Sequence, residues 1–331
     1  MVDAFGFNHP DKIPVIYTPS PAGLYVHGQK LIDLYREFPP DNPIDLEHLA
    51  VPVPPPGTVD AGGKYHEIKT DEWGTEWECL IYGVTGHPRN YPFETWAEAA
   101  DYTFPPISVP DPGTVGKQQL NHLVFWGWIS IFEKLQALRP IHEVLMDVVS
   151  EDEGLLAFLD RLVAHWEGAI RTALEAGVDV FVFADDWGTQ TSTIISPGLF
   201  RQIFMPRYRR MMEPIKKAGR RIFFHSCGHL GGIFDGLLEL GINGLWPQIR
   251  LHECARGAVD KCRERKVAIY IHPDRQKLIP LGTPGEIEDE IQRYCGQYRR
   301  QGGGAIFHVE MENDAPFKNV EALVKSVHRY R

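Results

Sequence analysis

From residue 120 onward the chain repeats one rhythm, and that rhythm constrains the fold more than any other feature. Short apolar runs alternate with amphipathic stretches of helical period. The runs are HLVFWGW (122–128), VDVFVFADD (178–186), RRIFFHSCG (220–228), INGLWPQ (242–248), KVAIYIHPD (266–274) and GAIFHVEME (304–312). Runs of this length, rich in β-branched and aromatic residues and apolar at successive positions, predict strands covered by helices on both faces. The helical stretches include 150–177, where Ser150 with Glu153 reads as a capping box and Gly177 as the stop, 196–219, interrupted at Pro206, 283–303 and 319–331. Strands alternating with helices imply a parallel sheet. At least six units in this length favour a closed α/β barrel, a (β/α)8 TIM barrel, over an open doubly wound sheet. Neither GxGxxG after a strand nor GxxxxGK[ST] occurs, so the common nucleotide cradles are missing.

Residues 1–119 have a different character. VPVPPPGTVDAGG (51–63) and YTFPPISVPDPGTVG (102–116) are too rich in proline for regular helix or central strand. Between them, 71–86 reads as a hairpin. We expect an irregular Pro-rich extension that covers a main barrel region at 120–331, the two together making one domain. Trp73, Trp77 and Tyr82 are candidate walls of a substrate pocket; packing of the cover on the core is the competing role.

Charge narrows the partners. With 34 Lys and Arg against 44 Asp and Glu, the formal net charge is −10, and nothing in that balance asks for nucleic acid. No run approaches the roughly 18 apolar residues of a membrane span. The N-terminus lacks the features of a signal peptide. Five cysteines at irregular spacing (79, 227, 254, 262, 295) fit reduced thiols. A cytoplasmic protein is the expectation, and a homo-oligomer is compatible with it.

In a barrel the chemistry sits at the C-terminal strand ends. Those ends read Asp185-Asp186-Trp187, His225-Ser226-Cys227, Trp246-Pro247-Gln248, His272-Pro273-Asp274-Arg275 and His308-Val309-Glu310. Positions i and i+2 on a strand face one side, so His225 and Cys227 point together, and zinc suits a mixed nitrogen and sulfur site. Glu310 is the expected third ligand, with His308 in reserve and Glu312 and Cys254 behind. Only one of Asp185 and Asp186 faces inward; Asp186 is the expected catalytic acid or base, alongside His225. Trp187, Trp246 and Gln248 join Trp73, Trp77 and Tyr82 as expected substrate contacts. Asp274 with Arg275 reads either as an ion pair that shapes the rim or as a pair with a substrate role.

Several stretches carry a family resemblance. ADDWGTQTSTIISPGLFRQIFMPRYRRM, FFHSCGHLGGIFDGLLELGINGLWPQ, HPDRQKLIPLGTPGEIEDEI and FHVEMENDAPFKNVEALV, in that order, resemble the uroporphyrinogen decarboxylase superfamily. The resemblance implies a (β/α)8 barrel and two chemistries. The decarboxylases carry an arginine-bearing N-terminal motif, where this chain reads YTPSPAGLY after Ile16. The other branch holds zinc-dependent methyltransferases that work with corrinoid proteins and bind zinc through a His-x-Cys pair and a later cysteine. His225 and Cys227 match the pair; Glu310 falls within one residue of the later cysteine's place. That exchange points to O-demethylation of a methoxylated, aromatic substrate, with the methyl passing to Co(I) of a separate corrinoid protein. A thiol-methylating enzyme, a decarboxylase and a non-enzymatic binding module are the alternatives.

Overall fold

The computed structural model describes residues 1–248, 257–298 and 302–331. They fall into two compact units, one made of Met1–Lys69, Trp77–His87 and Ala268–Arg331, the other of Thr70–Glu76 and Pro88–Val267. Among the described residues no helix is long and apolar enough to cross a membrane.

The first unit contains β1 (Val15–Thr18), and its small sheet pairs β2 (Glu67–Thr70) with β3 (Glu76–Cys79); β4 (His87–Asn90) follows in sequence. Asp71 makes the turn after β2 by taking the N–H groups of Trp73 and Thr75 on Oδ1, both at 2.9 Å. The hairpin therefore sits a few residues earlier than expected, because Asp71 and Gly74 (φ 85°) supply turn chemistry and not strand.

The second unit carries β5 (Phe125–Ile129), β6 (Val180–Ala184), β7 (Arg221–Ser226) and β8 (Gly244–Pro247), parallel in the order β8-β7-β6-β5. The β5–β6 register slips between Trp126 and Ile129, where Gly127 adopts φ 96°. Every residue of β6 is buried, as a strand covered on both faces requires. The helix Glu153–Ala176 is capped by Asp152, whose side chain accepts the Leu155 N–H, and stops at Gly177. The expected capping box at Ser150 is thus replaced: Ser150 ends the preceding amphipathic helix Ile141–Ser150, and the Asp152 carboxylate meets the helix N-terminus favourably. Near Pro206 the chain takes a π-helical turn (Phe200–Phe204) before the helix Met205–Lys217, so the proline sits in a first turn and not in a break. Pro112 likewise starts the helix Pro112–Gln119 behind the Asp111 cap, inside a segment expected to hold no helix.

Returning to the first unit, β9 (Ala268–Ile271) and β10 (Ala305–Glu310) are parallel, and β10 lies between β9 and β1. Strand β1 thus comes from the N-terminal 119 residues. Among the described residues there are seven parallel strands, three in this unit and four in the other, alternating with helices. This is the expected α/β fold of TIM-barrel type.

Candidate metal centre

In the second unit, the ends of β6 and β7 bring three donors together. Ligand atoms of Asp186, His225 and Cys227 all lie within 4.8 Å of one another. His225 Nε2 is 3.4 Å from Cys227 Sγ and 3.5 Å from Asp186 Oδ1. The strand register explains the convergence: Ala184 pairs with His225, so Asp186 comes level with Cys227. The other ring nitrogen, His225 Nδ1, sits 3.1 Å from the Trp246 carbonyl oxygen. A carbonyl only accepts, so Nδ1 carries the proton and Nε2 turns its lone pair to the cluster. That is the tautomer a metal needs.

Local backbone structure holds these positions. Cys227 N–H donates to Asp186 Oδ1 at 2.7 Å, and Trp187 N–H donates to Ser226 Oγ at 3.1 Å. Gly228 adopts φ 78°, and a Cβ there would strike the Gly188 backbone. The loops after β6 and β7 therefore touch main chain to main chain, which only glycine allows.

The two aspartates part company, as adjacent strand residues do. Asp185 is fully buried on the opposite side. It accepts from Ile131 N–H at 2.9 Å, from Glu133 N–H at 2.7 Å and from the Tyr208 hydroxyl, and so anchors the start of the helix Phe132–Leu138. Burial pushes its carboxyl up to about 7 despite those hydrogen bonds. Asp186 faces the cluster. Glu133 stands beside it: burial, then the charges of Asp186 and Asp185, hold Glu133 well above the ordinary carboxyl range, so it keeps its proton at neutral pH.

Aromatic rings flank His225. Trp246 lies 4.3 Å away and Trp128 5.4 Å away, centroid to centroid. Trp128 is 50% exposed, an unusual state for the largest apolar side chain. Sequence reasoning passed over Trp128 and Glu133. The signal for Trp128 was its place at the end of β5, like the other strand-end residues.

Other expected contacts fall elsewhere. Trp187 is fully buried, stacked on Phe132 at 4.3 Å and edge-on to Phe204 at 4.8 Å. A ring with no exposed surface packs and does not line a pocket. Trp73 is buried too, under Lys134 Nζ at 4.1 Å and beside Phe104 at 5.9 Å. Both rings sit in the core, where large aromatic side chains bury the most apolar surface. Tyr82, half-buried, sits edge-on to Tyr25 and Tyr65 in the first unit, and Trp77 is half-buried on β3. Gln248 is half-buried just beyond β8. Cys254 lies outside the described residues.

Glu310 belongs to a different group. In the first unit, ligand atoms of His272, His308 and Glu310 lie within 4.8 Å of one another. Arg275 Nη1 pairs with Glu310 Oε2 at 2.9 Å, and Arg275 Nη2 with Glu312 Oε1 at 3.7 Å. Asp274 does not pair with Arg275 as expected; its Oδ1 accepts the N–H groups of Gln276 and Lys277, the short-range bond a turn aspartate makes most readily. Burial pushes the Glu310 carboxyl up, and Arg275 works against it.

Comparison with known proteins places this fold and these strand ends in a protein class. Residues 136–330, more than half of the chain, match the model of the family described as uroporphyrinogen decarboxylase (URO-D), and the chain belongs to that family. Among solved structures, a methyltransferase from Methanosarcina mazei superposes with a TM-score of 0.60 at 18% identity, covering 99% of this chain and 97% of that one. A B12-independent methionine synthase from Shewanella sp. W3-18-1 superposes more loosely, with a TM-score of 0.44 at 10% identity over 82% of this chain and 74% of that one. No curated protein matches the sequence.

Proposed function

We propose that the chain is a zinc-dependent methyltransferase that moves a methyl group from a methoxylated aromatic compound to the Co(I) of a separate corrinoid protein. The observation that carries this reading is the meeting of His225 Nε2, Cys227 Sγ and Asp186 Oδ1 at the ends of two adjacent parallel strands, in a chain of this family. The donor set fits zinc: one imidazole in the ligating tautomer, one thiol and one carboxylate, three protein ligands that leave a position open for substrate. Asp186 is the third donor in this reading, in the place first given to Glu310. Zinc held by His225, Cys227 and Asp186 would supply a Lewis acid for the ether oxygen and so make phenolate a better leaving group.

The chain's own residues do the rest. The Trp246 carbonyl fixes the His225 ring. The Cys227 backbone N–H orients Asp186. The half-exposed ring of Trp128 offers a face for a flat methoxyarene, and Trp246 stands edge-on to it. Glu133 stands beside Asp186 at the start of the helix Phe132–Leu138, and burial raises its carboxyl. The methyltransferase from Methanosarcina mazei supports the fold of such an enzyme.

The test combines a zinc assay of the purified chain with incubation of methyl ethers and a reduced corrinoid protein, read as methyl-Co(III) absorbance. Stoichiometric zinc and methyl transfer from at least one methoxyarene are expected. A metal-free protein that still turns over, or a zinc protein that moves no methyl across the panel, sinks the reading.

A further inference from the structure

The geometry points to a second divalent-cation site, built from His272, His308 and Glu310, that takes a first-row metal through two imidazole nitrogens and one carboxylate oxygen. The inference is independent of methyl transfer. It also gives Glu310 and His308 a role apart from the His225 and Cys227 pair.

The backbone brings the three together. His308 and Glu310 are i and i+2 on β10 and share a face. On β9, Ile271 pairs with Phe307, so the next residue, His272, comes level with His308. The two rings are 4.9 Å apart and meet edge to face at 76°, which brings their nitrogens close together. Both histidines are buried, with 6% and 1% exposure, and the three ligand atoms fall within 4.8 Å. Two imidazoles placed for packing alone do not need a carboxylate drawn in beside them.

Neighbouring groups act as an outer shell. Thr18 Oγ1 on β1 lies 2.8 Å from His308 Nε2 and sets the rotation of that ring, so Nδ1 is the ligand atom. Arg275 Nη1 engages Oε2 of Glu310, which leaves Oε1 for the metal and orients the carboxylate. Two histidines and one carboxylate, with no thiolate, suit a first-row divalent ion such as iron(II), cobalt(II) or zinc(II), and leave positions for water or an oxygen ligand.

The test is a cobalt(II) titration of the full chain after chelator treatment, followed by absorbance and equilibrium dialysis. Wild-type protein is expected to bind two equivalents. One gives a thiolate-to-cobalt charge-transfer band; the other does not. His225→Ala/Cys227→Ser is expected to lose the band and keep one equivalent. His272→Gln and Glu310→Gln are each expected to keep the band and weaken the second equivalent by at least about tenfold. If the double variant fails to fold by circular dichroism, the two single variants decide. Two equivalents bound undiminished by His272→Gln and Glu310→Gln, or a single wild-type equivalent that carries the band, overturns the inference. A wild-type protein that shows no band but binds one equivalent lost in His272→Gln supports this site and removes the thiolate reading of the other.

Discussion

The clusters on β6–β7 and on β9–β10 are built alike and furnished differently. Each takes an i, i+2 pair from one parallel strand, His225 with Cys227 or His308 with Glu310. Each adds one residue from just past the end of the neighbouring strand, Asp186 or His272. Parallel register makes this convergence almost automatic, because equivalent positions on adjacent strands lie about 5 Å apart. The backbone therefore gathers donors and does not choose among metals. That choice lies in the side chains. The first cluster has a thiol, two tryptophan rings and a protonated Glu133 nearby. The second has no sulfur and is braced by a hydroxyl and a guanidinium.

The largest effect that separates the two should come from beneath the first cluster. Trp187→Ala removes a fully buried ring stacked on Phe132. Denaturant unfolding should show a loss of about 3–5 kcal/mol. A loss below about 1 kcal/mol would mean that the ring is not core, and would return Trp187 to the list of substrate contacts. The next largest effect lies in the chemistry. Cys227→Ser should lower methyl transfer by about 10²–10³-fold, the scale for losing one strong electrostatic stabiliser, and should deplete zinc. Unchanged zinc content with an unchanged rate would detach the thiol from the metal.

Much of this comparison was legible in the residues before any coordinates. The strand rhythm after 120 predicted the fold class, and the period of two placed His225 beside Cys227. The same period separated Asp185 from Asp186. What could not be read was proximity across strands. Glu133 belongs to a helix start, and its carboxyl is raised by burial and then by the charges of Asp186 and Asp185, which are more than 50 residues away in sequence. Trp128 looked like one more strand aromatic. Strand β1 stood in a segment whose proline content argued against regular structure, yet Val15–Thr18 pairs along β10. Local pattern reports faces; it does not report neighbours.

On the second cluster, the hydroxyl of Thr18 is the most specific support. Thr18→Val keeps the branched shape that suits a strand and deletes only the bond to His308 Nε2. Cobalt(II) affinity of the second equivalent should fall by about 10–100-fold, the usual effect of removing an outer-shell partner. The thiolate band of the first should not move. Equal affinity in the variant would show that the His308 ring is positioned without Thr18.

The smallest effect concerns the scaffold of the second cluster. Strand β1, which carries Thr18, is held through Tyr17. The Tyr17 hydroxyl donates to the Phe38 carbonyl at 2.7 Å, so His328 Nε2, 2.8 Å away, must donate to the Tyr17 oxygen. That places a proton on Nε2 of His328. Burial first, and then the Arg331 charge, push its imidazole down to about 4. An unfolded histidine takes its proton near pH 6.5. Between those two values the unfolded chain binds more protons than the native one, so stability must fall as pH falls from about 6.5 towards 4. His328 is only half-buried, and solvent screening reduces the effect to about 1 kcal/mol between pH 7 and pH 5. Urea unfolding at the two pH values should show that loss in the wild type and lose most of it in His328→Gln. A variant with the same pH dependence as the wild type would assign the acid sensitivity to other groups.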